Sequence, residues 1–381
     1  MSDTDTLDRP TTSTALRVDR DTLLAAVRAV SQTVERRNTI PILSNVLLRA
    51  ENSFMTVAAT DLDHLCQRVI DCAGEWIDTT VEADRLIGAI DTLRPGAIDM
   101  SFAAGALIIK QGRSTRKLMT LPSTDFPMIA PSNEGTTFAM DAAPLLRLLE
   151  TARVSSSTED AKYYMCGVFM QVVDGELIAA AADGYRVAQV RHPAPVEAIG
   201  APDSLIGNKA VGLICRLLGD LADGAQVDIT LASGRFGVTA GRSSIAGKLI
   251  EAAFPNYRRA LRSGHTSSMI IQAAELDRSI RAAGSASDGK TRAVRLDLAV
   301  DHCEASGSAQ DGGRSVEPME GDYQGDAMQI GINLIYAASI VKMFGPAPKL
   351  SLGIGANPKD IIIITSDDRP GVTVGVMPMN A

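Results

Sequence analysis

The sequence predicts an α+β fold made of three similar domains, each with two helices on one face of antiparallel sheets. Three observations predict it. Domain-sized segments recur along the chain, each copy alternates helical apolar spacing with short strand-like runs, and brief Asn, Asp, Gly or Ser turns join those runs. The recurrence is visible in Gly112-Arg113-Ser114 followed by Phe126-Pro127, which returns as Gly241-Arg242-Ser243 followed by Phe254-Pro255. A chain of 381 residues, 45% hydrophobic and 22% charged, is long enough for three such domains.

The elements follow in order. In the first copy Leu23, Leu24, Val27, Val30 and Val34 repeat at helical spacing after Asp21, a suitable N-cap. Strand runs at 46–50 and 54–59 flank a hairpin turn at Glu51-Asn52-Ser53, and a second helix over 85–93 leads into a strand at 97–102. The second copy repeats the series. Asp141 caps a helix bearing Leu145, Leu146, Leu149 and Ala152, runs at 167–172 and 177–181 flank Asp174-Gly175-Glu176, and a helix over 209–218 precedes a strand at 226–231. The third copy is fainter: Leu276, Ile280 and Ala283 for a helix, a strand at 293–300, a helix at 334–344, and strands at 349–354, 361–365 and 372–376. Each domain then has about eight strands and spans about 120 to 130 residues. Polar, turn-rich segments divide the chain into a disordered extension at 1–14 and domains at 15–133, 137–262 and 266–381.

Composition excludes several classes of function. Thirty-seven basic and 45 acidic side chains give a net charge of −8, so no overall basic coat exists. The first 14 residues lack a signal-peptide pattern and no apolar run reaches membrane-spanning length, which predicts a cytoplasmic protein. Cys66, Cys72, Cys166, Cys215 and Cys303 show no C-x-x-C spacing and read as reduced, buried thiols. His64, His192, His265 and His302 form no metal-ligand pair, so no metal or cofactor is expected. Asp61-Leu62-Asp63 has the spacing of a nucleotide-sugar transferase's metal motif, but Asp183-Gly184 occupies the equivalent place in the second copy, which favours a shared turn.

Charge is uneven. Six helix windows (22–34, 85–94, 144–154, 209–219, 276–286 and 334–344) hold ten basic and three acidic residues, in a chain that is acidic as a whole. A positive helical face on a negative body suits a protein that follows phosphates without reading bases, although exposed helix faces are often simply charged.

Several separated motifs resemble one family. Thr39-Ile40-Pro41-Ile42-Leu43-Ser44-Asn45-Val46, Thr60-Asp61-Leu62-Asp63, Thr120-Leu121-Pro122 with Asp125-Phe126-Pro127, Ala182-Asp183-Gly184-Tyr185-Arg186, Phe254-Pro255-Asn256-Tyr257-Arg258-Arg259 and Val376-Met377-Pro378-Met379 resemble, in order, the bacterial DNA polymerase III β sliding clamps. The resemblance covers residues 15–381. It implies three DNA-clamp domains per chain and two chains closing head to tail into a six-domain ring, with helices lining a hole around duplex DNA. It also implies a non-catalytic, nucleoid-associated processivity factor, with a clamp-fold paralogue serving as a spare, drug-resistant clamp or binding scaffold as the alternative.

On that resemblance, the DNA-facing residues are Arg28, Arg37, Arg85, Arg147, Arg153, Lys209, Arg216, Arg278 and Arg281. A pocket for partner peptides would use Met165, Gly184, Tyr185, Arg186, Val187, Pro255, Arg259, Asn333, Tyr336, Val376, Met377, Pro378 and Met379. Expected partners are a second copy of the chain, the polymerase III α subunit, the clamp loader, other polymerases, mismatch-repair proteins and ligase. By residue type alone, Val376-Met377-Pro378-Met379 also reads as an edge strand completing the core. The chain departs from the family pattern at Tyr185, Ala182, Gly375 and Asn380-Ala381. At the expected subunit interface 284–289 is small and polar and the acidic segment 311–317 is diluted, which predicts a weaker ring.

Overall fold

The computed structural model describes residues 16–35, 39–74, 77–129, 135–262, 264–287 and 293–380. The expected extension at 1–14 and the candidate DNA contact Arg37 lie outside them. The described chain forms two compact units, residues 1–131 with 237–247, and 132–236 with 248–381.

In the first unit, α1 (Arg20–Val30) and α2 (Ala83–Asp91) bury Leu23, Leu24, Val27, Val30, Leu86 and Ile90. α1 lies against the strands Phe54–Thr60 and His64–Asp71. The N-cap of α1 is Asp19 and not Asp21. The Asp19 carboxylate accepts from Thr22 N at 2.9 Å, while Asp21 sits within the first turn, where its charge favours the positive helix end. The expected hairpin between Asn45–Glu51 and Phe54–Thr60 turns on Asn52 (φ 51°) and Ser53 (φ 68°), the left-handed pair that matches strand twist. Residues 243–247 pair antiparallel with 64–68.

The second unit repeats this construction twice. α3 (Ala142–Arg153) and α4 (Asn208–Gly219) pack on each other, as do α6 (Ala273–Gly284) and α7 (Leu334–Phe344). A four-residue turn of helix, α5 (Tyr257–Ala260), lies between the two pairs in the chain and was not foreseen. Asp141 caps α3 by position only: its carboxylate accepts from the Gln226 side chain and makes no cap hydrogen bond. One antiparallel sheet runs Ser204–Gly207, Gly167–Val173, Glu176–Ala182, Arg186–Pro193, Val372–Val376, Ile362–Thr365, Lys349–Ile354, Ser267–Gln272, Gly321–Gln324. Its central joint pairs Arg186 with Val376 and Val190 with Val372, so strands nearly 200 residues apart share one ladder. A second sheet runs Arg314–Pro318, His302–Ser308, Ala293–Ala299, Met328–Asn333.

Cys66 and Cys215 are buried as expected. Cys72, Cys166 and Cys303 are only half-buried, which corrects the reading of all five as core residues, and none of the five forms a disulfide.

Candidate peptide groove and nucleic-acid face

The groove begins with a turn. Asp183 Oδ1 accepts from Tyr185 N (2.9 Å) and Arg186 N (3.0 Å), while Gly184 takes φ 96°. The turn delivers Arg186 into the first position of the strand Arg186–Pro193 with its Nε held by Asp183 Oδ2 at 2.9 Å. The Arg186 guanidinium lies 4.9 Å from the centre of the Tyr336 ring, on α7. Tyr185 stacks on the same ring at 6.1 Å, and Lys162 Nζ sits 5.3 Å over Tyr185. Cation, two aromatic rings and cation thus touch in series, the two cation–π contacts each of the kind worth about 0.5–1 kcal/mol at an exposed site. The low dielectric around Tyr336 and the nearby Asp183 charge push its phenol pKa up, so the ring stays neutral.

Beneath the turn lies an apolar floor of Met165, Ile178, Ala180, Ala182, Val187 and Tyr257, packed by Phe169, Phe254, Leu261 and Ile361. Phe169 and Phe254 stack at 4.9 Å, and Tyr257 N donates to Pro255 O at 2.7 Å, which fixes the entry to α5. Arg259 stands exposed on α5. Asn333 is the N-cap of α7, accepting from Ile335 N at 2.9 Å.

The terminal segment divides between the two readings made for it. Val376 is fully buried in the ladder and is core. Met377 is 41% exposed, and its N–H donates to Tyr185 O at 2.8 Å. Pro378 and Met379 are half-buried, with Met379 N donating to Gly331 O at 2.9 Å. Gly375 is a packing requirement of this chain: a Cβ there would lie 2.7 Å from Ile361 Cδ1 and 2.9 Å from Val187 Cγ1. Its neighbours already fill the space that a larger residue would occupy.

Two contributors escaped sequence reasoning. Asp183 orients Arg186, and its signal was the recurrence of Asp61-Leu62-Asp63-His64. Asp61 Oδ1 likewise accepts from Asp63 N and His64 N, with Leu62 at φ 77°. That turn accounts for the Asp-x-Asp spacing. Lys162 carried no signal, because its place over Tyr185 is fixed by the fold.

The helix face is less bare than its composition suggests. Arg28 pairs with Asp91 at 3.0 Å, Arg85 with Glu82 at 3.3 Å and Arg281 with Asp277 at 2.7 Å. Arg278 is held by Glu275 at 2.8 Å and by Glu317. Arg153 hydrogen-bonds the Cys215 thiol, whose burial pushes its pKa up to about 11. All these guanidinium groups are on exposed residues, as are Arg147, Lys209 and Arg216. Arg153, Arg186, Arg281 and Lys342 converge on a cleft of about 880 Å³ between α3, α4, α6 and α7, with Glu150 as its one acid among the described residues. Among the described residues no cluster of His, Cys, Asp or Glu could hold a metal ion, and no helix is long and apolar enough to cross a membrane.

Three copies of a two-helix α+β domain, with a groove where the second meets the third, define the class of tandem clamp-domain proteins. Comparison with known proteins gives the family. The models of the N-terminal, central and C-terminal domains of the DNA polymerase III beta subunit match residues 14–130, 139–256 and 258–380. The chain belongs to the DNA polymerase III beta subunit family and is a sliding clamp, a non-catalytic processivity factor. The beta sliding clamp of Caulobacter vibrioides is 31% identical over 96% of this chain and 99% of its own length. That of Escherichia coli is 27% identical over 85% and 88%. Among solved structures, the Caulobacter crescentus beta sliding clamp superposes with TM-score 0.91 at 29% identity, covering 97% of this chain and all of that one. A Bartonella birtlesii clamp bound to griselimycin gives 0.92 at 28%, with the same coverage.

Proposed function

We propose that two copies of this chain close head to tail into a ring around duplex DNA, and that the groove at Tyr185, Arg186, Tyr336 and Met377 tethers the replicative polymerase and other DNA-processing proteins by short peptides. The observation that carries the ring is a pairing pattern. In the first unit, the last strand of the second repeat (243–247) pairs with the fourth strand of the first (64–68). In the second unit, the last strand of the third repeat (372–376) pairs with the fourth of the second (186–190). The last strand and the fourth strand left over are Ser114–Leu121 and Arg314–Pro318. Ser114–Leu121 is joined to Ile77–Glu82 only at Leu121 and Thr120, which leaves 114–119 with one neighbour among the described residues. Among the described residues Arg314–Pro318 pairs only with His302–Ser308. Open strand edges recruit strands, and a second copy supplies the complementary edge twice, which closes a symmetric assembly.

A ring holds DNA by topology, so phosphate contacts can be weak enough to slide. The paired helix-face arginines suit that demand, because each can exchange a carboxylate for a passing phosphate. The domain boundaries at 133–137 and 262–266 belong to this reading, as do the DNA contacts. The first of the small residues at the expected interface has a role inside the chain as well: a Cβ at Gly284 would touch Leu334 at 3.0 Å. Asp288 and Gly289 lie outside the described residues.

The test is loading onto nicked circular DNA with a clamp loader. The protein should remain bound through gel filtration at raised salt and leave when the circle is linearised. Equal loss from circles and linear DNA would overturn the ring. In the same preparation a fluorescent peptide with a Leu-Phe-type clamp motif should bind, and Arg186→Ala should weaken it; unaltered binding would remove the groove assignment.

A further inference from the structure

The strand that begins with Arg186 ends in Arg191-His192-Pro193, at the opposite end from the peptide groove. Side chains alternate along it, so His192 shares the face of Ala188 and Val190, and α3 packs across this strand. The turn at 366–372 is pinned to the strand end by Arg191 N donating to Gly371 O at 2.9 Å. Only glycine permits this approach: Gly371 has φ 88°, and a Cβ there would lie 2.7 Å from Arg191 O. Between α3, the strand end and the turn is a cleft of about 450 Å³.

The charges in this cleft are unbalanced. Its two acids are engaged, Glu176 with Arg191 at 3.4 Å and Asp368 in accepting from Lys349 N at 3.1 Å. Arg147 on α3 and Arg369 in the turn line the same cleft with His192, and among the described residues neither arginine forms an ion pair. That separates Arg147 from Arg28, Arg85, Arg278 and Arg281, which carboxylates hold. Pro144, Leu148 and Val190 supply apolar walls, which strengthen charge-assisted hydrogen bonds to an oxyanion.

We infer that Arg147, Arg369 and His192 form an oxyanion site that takes a phosphate, either a backbone phosphate of duplex DNA or free phosphate. The two guanidinium forks donate to the non-bridging oxygens, and the imidazole adds a third donor from the strand end. The backbone source rests on the DNA reading above and extends it from the helices to a loop and a strand end. The free-phosphate source does not depend on it.

The full-length protein tests this in two measurements. Anisotropy of a fluorescein-labelled 20-base-pair duplex, titrated across a chloride series, gives the slope of log affinity against log salt. Arg369→Ala should weaken binding and lower that slope by about one, while Lys359→Ala, which removes the same charge from the turn 357–360, should leave the slope unchanged. Thermal melting in inorganic phosphate against chloride at equal ionic strength should show a saturable rise that Arg369→Ala abolishes. A lowered slope assigns the backbone phosphate, and a melting response alone assigns free phosphate. Absence of wild-type duplex binding together with a melting response would remove the backbone source, leave the site standing as a free-phosphate site, and leave the ring to the circular-DNA test. No effect of Arg369→Ala in either measurement, or the same effect from Lys359→Ala, would overturn the proposal.

Discussion

Asp61, Asp183 and Asp311 each accept a backbone N–H from two residues on, and each is followed by a residue of positive φ, namely Leu62, Gly184 and Gly312. One turn, built three times, aims the start of the fourth strand in every repeat. Only in the second does it carry the Tyr185-Arg186 pair onto Tyr336. Asp311, which the sequence suggested as part of an acidic interface segment, is occupied as this turn's acceptor. A second carboxylate sets a pH response. Glu275 accepts from Arg278 (2.8 and 2.9 Å), Ser279 (3.0 Å) and Glu320 N (3.1 Å), and Arg278 chiefly lowers its pKa from 4.5 to about 2. A folded-state pKa below the unfolded one stabilises fully above about pH 4.5 and is lost as pH falls through the folded value. Glu275→Gln should therefore destabilise more at pH 6 than at pH 3 in urea unfolding; an equal loss at both would show that the pair contributes nothing through charge.

At the scale of elements, Val372–Val376 joins two repeats while Met377, next after it, bonds the Tyr185 backbone. Val376 is fully buried and Met377 is 41% exposed, so a cut on either side of Val376 has different consequences. Truncation after Val376 removes the Met377-to-Tyr185 and Met379-to-Gly331 hydrogen bonds, at a cost of about 0.5–1.5 kcal/mol each, and should lower the melting temperature only slightly while abolishing binding of the Leu-Phe-type peptide. Truncation after Gly375 also removes a buried valine, at a further cost of about 1.5–3 kcal/mol, and should lower the melting temperature clearly. Equal melting of the two truncated chains would contradict this division, as would full peptide binding by the shorter cut.

At the scale of the molecule, the proposed ring rests on the two open strand edges. Ser114–Leu121 exposes Met119 (64%) and Leu121 (37%), and Arg314–Pro318 exposes Val316 (42%). Edges left for a partner keep apolar residues that edges meant for solvent replace by charge. Val316→Lys puts a charge on the second edge at a position that is already exposed. In sedimentation velocity the wild type should run at twice the chain mass at micromolar concentration, and Val316→Lys should shift it toward the monomer. A wild-type monomer at every concentration would refute the paired edges.

The sequence by itself determined the threefold repeat, the positions of the six long helices and most strands, because apolar periodicity and turn residues act within a few residues of chain. α7 and the strands 349–354 and 372–376 fall where their periodicity placed them. The cap of α1 was misplaced by two residues because neighbouring aspartates offer the same chemistry and only the backbone angle chooses between them. The helix-face charge was legible as a sum but not as a pattern: Arg278 meets Glu317 on another strand, beyond the reach of any window along the chain. Only the tertiary structure decided that Gly375 makes room for Ile361 and Val187, that Lys162 covers Tyr185, and that Arg147 and Arg369 face one cleft. Each of these depends on which distant strands share a ladder, and that pairing is fixed when burial of many apolar faces is satisfied together.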